Sequence, residues 1–476
     1  MTFNTSRIYC ALIVVFMFWS CARPDAKHQL ISPAVIPAEP LHYSIPQPER
    51  VVLDNGMVLY LLEDHEIPLI EVTALVRTGA VYEPPGCAGL ASITGEVMRT
   101  GGTGALNPQA VDEQLEFMDA VISVAIESAS GSASLSVLKK DFNAAFDTYS
   151  QILTDPAFAP DRLAIAKEQK IAALRQSEDN PQSLAFRKFK KLLYKDNPRG
   201  NLPTIKSITS IRREDLIAFH KKYFHPNRVI LGVSGDFSAQ EMIAVVKKRF
   251  AAWKPSREPL PAIPKPLDCT ARSQFYLRKN VPQATIILGH LAPAKTSPDY
   301  YAFEVLDYIL GGGGFSSRLT SEIRSNRGLA YSVGSFYRPD VDYGVFGAYC
   351  MTKSATTHKA LSLMIDIMNR MKDTANQAEL VQAGESLINS FVFSYSSSAQ
   401  IINQRMQLEY DHLPQDFMDK FPAHIKAVTL QDLQRVAGLY LHPSRSIVLV
   451  VGDDKTFDVP LSNWGPVQEV FSDIQN

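Results

Sequence analysis

The alternation of apolar and polar residues along the chain predicts a mixture of strands and helices. An Asp-Asn-Gly turn at residues 54–56 separates two apolar runs, a pattern typical of a β-hairpin. Residues 70–77 are rich in β-branched side chains and predict a strand, and residues 121–137 predict two more. Helical spacing of apolar residues predicts helices in the same half of the chain, at residues 89–99, 111–118, 140–153 and 161–174.

A segment from the middle of the chain recurs near its end. Residues 223–236, YFHPNRVILGVSGD, align without a gap with residues 440–453, YLHPSRSIVLVVGD, and eight of the fourteen positions are identical. Chance explains this poorly, so we infer a domain duplicated in tandem. Residues 255–266 contain five prolines and predict a linker between domains at about 45–254 and 267–470. Runs of strands with helices gathered on one face predict the α+β class.

The amino terminus has the pattern of an export signal. Arg7 precedes an apolar run of about a dozen residues, too short for a stable membrane-spanning helix. Cys21 follows directly, as in a bacterial lipoprotein signal, so residues 1–21 predict a signal peptide and lipidation of Cys21. An ordinary cleaved signal, an uncleaved anchor and a buried cytosolic helix are the alternatives. Residues 22–44 predict a proline-rich tether, so we expect a soluble, lipid-anchored body on the periplasmic side of the cell envelope.

Charge and cysteine content exclude two classes of protein. Lys plus Arg is 48 and Asp plus Glu is 49, a balance that argues against nucleic-acid binding through neutralisation of phosphates. The densest basic stretch, residues 187–195, has a helical pattern and is interpreted as a solvated face. The five cysteines form no C-x-x-C pair, so the pattern indicates neither a disulfide scaffold nor a zinc ribbon.

The common catalytic motifs are missing from the sequence. The ten histidines include no pair at i and i+4, and H-E-x-x-H, H-x-x-E-H and G-x-S-x-G are all absent. Gly311, Gly312, Gly313 and Gly314 end a helix whose predicted N-cap is Ser297, which is not the context of a phosphate loop. One glycine suffices to end a helix, so four indicate a flexible loop or the close approach of another chain.

Several motifs, in the right order, resemble one family of peptidases. Residues 310–333, LGGGGFSSRLTSEIRSNRGLAYSV, are similar to the signature of the second domain in pitrilysin/insulinase-type zinc peptidases, especially the mitochondrial processing peptidase branch. Residues 51–91 and 155–236 resemble other parts of the same family. The resemblance covers about residues 45–460. It implies two tandem α+β domains, each an antiparallel-rich sheet with helices on one face, that form one half of a clamshell.

The zinc site of that family does not carry over to this chain. An active member has H-x-x-E-H, which supplies two histidine ligands and a glutamate base, where this chain has Ser92, Gly95 and Glu96. The third ligand, a glutamate about 75 residues further on, falls near Ala166, with Glu168 two residues away. Ser, Glu and Ala cannot form a three-ligand zinc site. We therefore expect this chain to bind no metal or other cofactor.

The substrate-binding half of the family's site does carry over. In the family, an arginine and a tyrosine seven residues apart contact the substrate near the scissile carbonyl, and here they match Arg324 and Tyr331. A cation and a phenol can stabilise the oxyanion that forms when water attacks an amide. The structural alternative makes Arg324 a surface residue of a helix and Tyr331 a packing residue of a strand. The resemblance implies that this pair and the glycine loop bind the substrate.

These observations lead to three hypotheses about function. The first is a non-catalytic subunit that binds unfolded peptides and pairs with a homologous subunit, which carries H-x-x-E-H and the zinc. The second is a catalytically dead peptide-binding or scaffold protein, such as a homodimer, without a zinc-bearing partner. The third is a peptidase with an unrecognised site, which requires the purified chain to cleave peptides alone.

Overall fold

A computed structural model describes residues 45–268 and 271–474 of the protein. The predicted signal peptide, the lipidation of Cys21 and the tether lie outside the described residues, as does Cys269. Within the two described ranges, no helix is both long enough and apolar enough to cross a membrane.

In residues 45–268 and 271–474, twelve strands form two sheets of six. The strands of the first sheet are β1 (Glu49–Val52), β2 (Val58–Glu63), β3 (Leu69–Val76), β4 (Val121–Ile126), β5 (Gly131–Leu138) and β6 (Val229–Gly235). The strands of the second sheet are β7 (Ser273–Arg278), β8 (Gln283–Ala292), β9 (Ala330–Pro339), β10 (Gly344–Lys353), β11 (Ile447–Gly452) and β12 (Val467–Glu469). The strand orders are β1-β2-β6-β3-β5-β4 and β12-β7-β11-β8-β10-β9, so β4 and β9 are edge strands.

Helices surround both sheets. In the first half they are α1 (Leu90–Thr100), α2 (Pro108–Phe117), α3 (Phe142–Thr154), α4 (Pro160–Asp179), α5 (Pro181–Tyr194), α6 (Ile205–Ser210), α7 (Arg213–Tyr223) and α8 (Ala239–Arg249). In the second half they are α9 (Tyr300–Asp307), α10 (Thr357–Thr374), α11 (Gln377–Phe391), α12 (Ser398–Tyr410), α13 (Phe421–Ala427) and α14 (Leu430–Tyr440). Two π-helical segments, Tyr308–Gly312 and Thr320–Asn326, follow α9.

The two sheets share one topology. In the first, β6 pairs in parallel with β2 and antiparallel with β3. In the second, β11 pairs in parallel with β7 and antiparallel with β8. The strands β6 and β11 are the ones that end the repeated sequence segments. The prediction of a duplicated α+β fold is confirmed.

Local chemistry sets where several elements begin. The predicted hairpin joins β1 to β2, and Gly56 supplies the positive φ of +83° that its turn requires. Asn180 caps α5, because its side-chain oxygen accepts the backbone N–H of Ser183 at 3.0 Å and Pro181 occupies the first helical position. The helix predicted to have Ser297 as its N-cap instead has Asp299 there and starts at Tyr300.

That difference has a local cause. The backbone N–H of Tyr300 donates to the carbonyl of Ser297 at 3.1 Å, and the Ser297 hydroxyl accepts the N–H of Asp299 at 3.2 Å. These bonds close a turn before the helix begins. Ser and Asp side chains compete with the helix for backbone groups in this way, so the start of a helix is hard to place from sequence.

One helix from each half of the chain packs on the sheet of the other half. In α5, Leu184, Phe189 and Leu193 pack with Ile287 and Leu449 of the second sheet. The matching helix α12 packs on the first sheet, where its Ile402 and Met406 join a buried cluster with Tyr60 and Ile230. The two helices start 217 residues apart, which is the spacing of the sequence repeat. The exchange therefore belongs to the duplicated unit.

Glycines in the sheets make room for these helices. A Cβ at Gly289 of β8 would lie 2.6 Å from the ring of Phe189, and a Cβ at Gly232 of β6 would collide with Ile402 and Met406. Such contacts are closer than real Cβ atoms show, so a larger residue at either position would push the helix off the sheet.

Polar contacts at the end of α12 join the two halves further. The carboxylate of Glu409 accepts hydrogen bonds from Arg50 at 2.8 Å and from the Tyr60 hydroxyl at 2.9 Å. The guanidinium of Arg77 donates to the Tyr410 carbonyl at 2.8 Å and lies 4.6 Å from the centre of the Tyr410 ring. Half-buried, charge-assisted contacts of this kind fix orientation as well as adding stability.

The basic residues of α5 do not form a solvated face, contrary to the interpretation of the sequence. The Lys188 ammonium is buried and forms an ion pair with Asp473 at 2.8 Å. Arg187 and Lys190 are half-buried and face a cavity. The periodicity of charged residues identified the helix but not its neighbour, because α5 packs against the sheet of the other half.

Candidate functional site

Helix α1 carries the positions that match the family's zinc motif, and Glu83 anchors the start of this helix. The Glu83 carboxylate accepts the backbone N–H of Gly89 at 3.1 Å and of Ala91 at 2.7 Å, which satisfies groups that a helix start leaves free. Burial raises the pKa of Glu83 to about 7, while these backbone hydrogen bonds and nearby Lys170 act in the opposite direction. The helix is therefore held firmly beside β4.

The three motif positions on α1 lie along the edge strand β4. The Ser92 hydroxyl is half-buried and donates to the Gly89 carbonyl at 3.1 Å. Gly95 is buried, and a Cβ there would lie 3.1 Å from the backbone nitrogen of Ile126 in β4. Glu96 is half-buried, and burial raises the pKa of its carboxyl while Lys170 lowers it. If a glutamate replaced Gly95, its Cβ would press on the backbone of β4, so the strand would have to shift to make room for the side chain.

The residues at this motif do not fit a zinc ion. Ala166 on α4 is buried in the core of the first half at 1% exposure, and Glu168 is exposed. Among residues 45–268 and 271–474, no three His, Cys, Asp or Glu side chains lie close enough together to hold a metal ion. The motif positions offer only two possible zinc ligands, the Ser92 hydroxyl and the Glu96 carboxylate. A catalytic zinc site needs three protein ligands.

A groove follows the edge of β4. Residues 122–126 of this strand, Glu127 directly after it, and the α1 residues Ser92, Glu96 and Arg99 line a cavity of about 380 Å³. The Arg99 guanidinium donates to the Ile122 carbonyl at 3.0 Å, which occupies one acceptor at the end of the groove. Because β4 pairs only with β5, its other edge can accept an added strand.

The glycine loop of the second half begins inside the first π-helical segment, which contains Gly311 and Gly312, and packs against its own sheet. Gly311 is buried, and a Cβ there would collide with the backbone nitrogen of Ser335 on β9. The Ser335 hydroxyl donates to the Asp307 carboxylate at 2.6 Å, and burial raises the pKa of Asp307 to about 6. Gly312 and Gly314 are exposed. The four glycines predicted either a flexible loop or the close approach of another chain. At Gly311, the segment that approaches closely is β9 of the same chain.

We expect Gly311→Ala to destabilise the protein by about 1–3 kcal/mol, because the new methyl group must displace the backbone of β9. Gly314→Ala is the matched control: this residue has open space around its Cβ position and only a φ of +61° to oppose the change. Urea denaturation of both variants measures the difference. Equal loss of stability in the two would contradict the packing described for Gly311.

Arg324, Tyr331 and Phe315 form an exposed cluster, which we call the triad. The Arg324 guanidinium carbon lies 4.7 Å from the centre of the Phe315 ring and 5.7 Å from that of Tyr331. Phe315 is 68% exposed and Tyr331 is 77% exposed. In the part of the chain that the structure describes, Arg324 enters no ion pair and its side chain donates no hydrogen bond. Its N–H groups are therefore available to a ligand.

The structure brings the sequence-predicted pair together and adds a third member. Arg324 lies on the second π-helical segment, and Tyr331 opens the edge strand β9. Segments of π-helix are rare and often occur at functional sites. Phe315 was missed by the sequence argument, although its place directly after the glycines could have indicated it. Within the described residues, no hydrogen bond, ion pair or ring contact joins the triad to the α1 motif.

Comparison with known proteins fits this arrangement. Residues 60–204 match the model of the insulinase family, peptidase family M16, and residues 210–387 match the model of the peptidase M16 inactive domain. The chain belongs to peptidase family M16. The resemblance seen in the sequence is confirmed. The second matched model is that of the inactive domain, and the chain is an inactive-type M16 member.

Relatives of this M16 chain include proteins described both as proteases and as non-peptidases. A zinc protease of Rickettsia bellii, described as uncharacterized, is 26% identical over 69% of this chain and 78% of its own length. The non-peptidase homolog YmxG of Helicobacter pylori is 26% identical over 78% of this chain and 86% of its own. The crystal structure of the peptidase M16 inactive domain from Pseudomonas fluorescens matches with a TM-score of 0.80 and 25% identity, covering 87% of this chain and all of that one.

Proposed function

We propose that this chain is the substrate-binding, non-catalytic subunit of a heteromeric zinc metalloendopeptidase that degrades or processes unfolded peptides in the cell envelope. The observation that carries the proposal is the exposed triad around Arg324, kept by a chain whose α1 motif offers no set of zinc ligands. A substrate-binding half without metal ligands can take part in metal-dependent hydrolysis only beside a subunit that supplies the metal.

In this proposal the partner carries H-x-x-E-H and performs the hydrolysis. The role of this chain is to hold the peptide and to stabilise charge. Arg324 and the Tyr331 hydroxyl can donate to the scissile carbonyl oxygen as it becomes an oxyanion, which is the kind of preorganised contact that lowers such a barrier most. Phe315 keeps the guanidinium in place through its ring. The peptide binds as an added β-strand, so its backbone gives affinity with little demand on sequence.

The envelope location rests on residues 1–21, whose pattern is that of a lipoprotein signal. Lipidation of Cys21 would tie the soluble body to a membrane through the proline-rich tether. Mass spectrometry of the mature amino terminus tests this directly.

Affinity purification of the tagged, full chain from native membranes tests the proposal as a whole. We expect a stoichiometric M16 homologue with H-x-x-E-H to co-purify, and the complex to contain zinc and cleave unfolded peptides. The Arg324→Ala and Tyr331→Phe variants should co-purify the same partner, because Tyr331 is exposed and Arg324, which is half-buried, forms no ion pair or side-chain hydrogen bond among the described residues that the fold would lose. Recovery of the chain without such a homologue would contradict the proposal and favour a peptide-binding scaffold.

A further inference from the structure

A large cavity lies between the two halves, apart from the triad and from the α1 motif. Its volume is about 760 Å³, within the range of small-ligand sites. The first half contributes α4, α5 and the turn after β4, and the second half contributes the end of β9 and the segment that leads into β10. The cavity therefore exists only because the halves pack on each other.

The side chains that line the cavity carry a large excess of positive charge. Five cationic side chains and one carboxylate line it, a difference of four positive charges: Lys170, Arg187, Lys190, Arg199 and Arg338 against Asp340. In the described part of the chain, none of these six groups is in an ion pair. Arg187 and Arg199 donate to the carbonyls of Pro203 and Pro264.

The other three cations have no hydrogen-bond partner among the described residues. These are Lys170, Lys190 and Arg338, with Arg338 stacked 5.1 Å from the ring centre of Phe336. Burial lowers the pKa of Lys190, the nearby Glu127 raises it, and the positive charges of Arg187 and Arg338 lower it further. Lys170 and Lys190 are half-buried and Arg338 is exposed. The carboxylates that act on the two lysines, Glu83, Glu96 and Glu127, form no ion pair with them among the described residues. A half-buried cation of this kind gains from a ligand that brings a further negative charge.

Rigid aromatic rings form the remaining wall. The rings of Phe186 and Phe336 lie 5.8 Å apart, and the hydroxyls of Tyr194 and Tyr343 are 3.2 Å apart. The guanidinium of Arg199 stacks 4.8 Å from the Tyr343 ring centre. Aromatic walls beside fixed cations suit a ligand that presents a negative charge next to an apolar group.

Both edge strands lead into this cavity. The groove along β4 uses residues 122–127, and the cavity begins with Ser128 and Ala129 directly after them. In the second half, Tyr331 of the triad opens β9 and Arg338 lies near its end, about 23 Å further along at roughly 3.3 Å per residue. An extended peptide on either edge would therefore reach the cavity with one end.

We propose that the cavity binds a carboxylate of the extended peptide, either its C-terminal carboxylate or an Asp or Glu side chain, against Lys170, Lys190 and Arg338. This deepens the proposed function and rests on its peptide-binding part. It makes an otherwise sequence-tolerant site prefer acidic peptides or free carboxyl ends.

Fluorescence anisotropy with the purified chain alone tests the inference. The probes are three unstructured peptides of equal length, labelled at the N-terminus: one with Glu residues and a free C-terminus, one with Glu and a C-terminal amide, and one with Gln in place of Glu and a free C-terminus. Neutralising the carboxylate that the cavity uses should weaken binding about tenfold, equivalent to about 1.4 kcal/mol. Whichever peptide loses affinity identifies the source of that carboxylate.

Variants of the cavity locate the effect. Lys190→Gln and Arg338→Gln should each weaken binding of the fully charged peptide about tenfold and leave unchanged the binding of the peptide that lacks the carboxylate used by the cavity. Lys191→Gln is the matched control on the same helix, since this residue lies outside the cavity. Circular dichroism melts of all three check that the fold is intact, and Arg338 is exposed enough for its loss to be tolerated.

Any of four results would overturn the inference, and three of them concern the peptides alone. They are equal binding of all peptides, equal binding by wild type and both cavity variants, or no peptide binding up to millimolar concentration. Displacement by inorganic phosphate with no difference among the peptides would also overturn it, because the cavity would then be an anion site unrelated to peptides. The assay needs no partner subunit. Charge-dependent peptide binding together with failure to recover a partner would therefore refute the peptidase complex and leave this inference standing.

Discussion

Replacing Arg324 with Ala should lower the turnover number of the assembled peptidase by about 10²–10³-fold, the usual effect of removing one oxyanion-stabilising donor. Arg324 is the cation of the exposed triad and has no ion-pair partner among the described residues that could compete for it. Tyr331→Phe should lower turnover for the same reason, since it removes only the hydroxyl. Steady-state kinetics of the reconstituted complex on an unstructured peptide gives both values.

A neighbouring residue controls for the loss of a surface charge. Arg327 lies three residues after Arg324 and contacts Glu322 at 3.7 Å, outside the triad. Arg327→Ala should leave turnover unchanged. If Arg324 and Tyr331 act on the oxyanion, their variants lose kcat with little change in KM; a change confined to KM would mean that they bind substrate and transition state equally. Unchanged kinetics in both variants would reject the catalytic-complex role.

Phe189→Ala should reduce the free energy of unfolding by about 3–5 kcal/mol. Its ring is 3% exposed, and it packs on the sheet of the other half, where the missing Cβ of Gly289 leaves room for it. The cavity created would lie at the contact between halves, where neither half can close it alone. Guanidinium denaturation followed by circular dichroism and by tryptophan fluorescence measures the loss.

Phe117→Ala is the control, because the Phe117 side chain is 90% exposed and its removal should change stability by no more than about 0.5 kcal/mol. The two spectroscopic probes should also give one coincident transition, since each half covers the other's sheet. A loss below about 1 kcal/mol for Phe189→Ala, or two separate transitions in the wild type, would refute the reciprocal packing.

The repeat explains how much of the fold could be predicted. Identical residues in β6 and β11 revealed the duplication, and the turn at Gly56 revealed the first hairpin. The sequence does not show which sheet α5 packs on, because its apolar face could pack equally well on the first sheet or on the second. The sequence therefore predicts that the lysines of α5 face solvent. In the structure Lys188 is buried and Lys190 faces the cavity.

The candidate site shows the same limit. Arg324 and Tyr331 were found through a motif, which records residue types in order. The contact between Phe315 and Arg324 depends on the backbone conformation between the two π-helical segments. A sequence motif does not specify that conformation. Likewise, Gly311 was visible in the sequence, but the atom it touches, the backbone nitrogen of Ser335, lies 24 residues away.

The exchange of helices has a consequence for biosynthesis. Strand β6 ends at Gly235, and α12, which covers the outer face of β6, begins 163 residues later at Ser398. A chain that emerges from the ribosome amino end first would therefore complete its first sheet while one apolar face of that sheet is still bare. Exposed sheet faces invite aggregation. During synthesis, the first half of this chain would therefore need a chaperone to shield that face until α12 has left the ribosome.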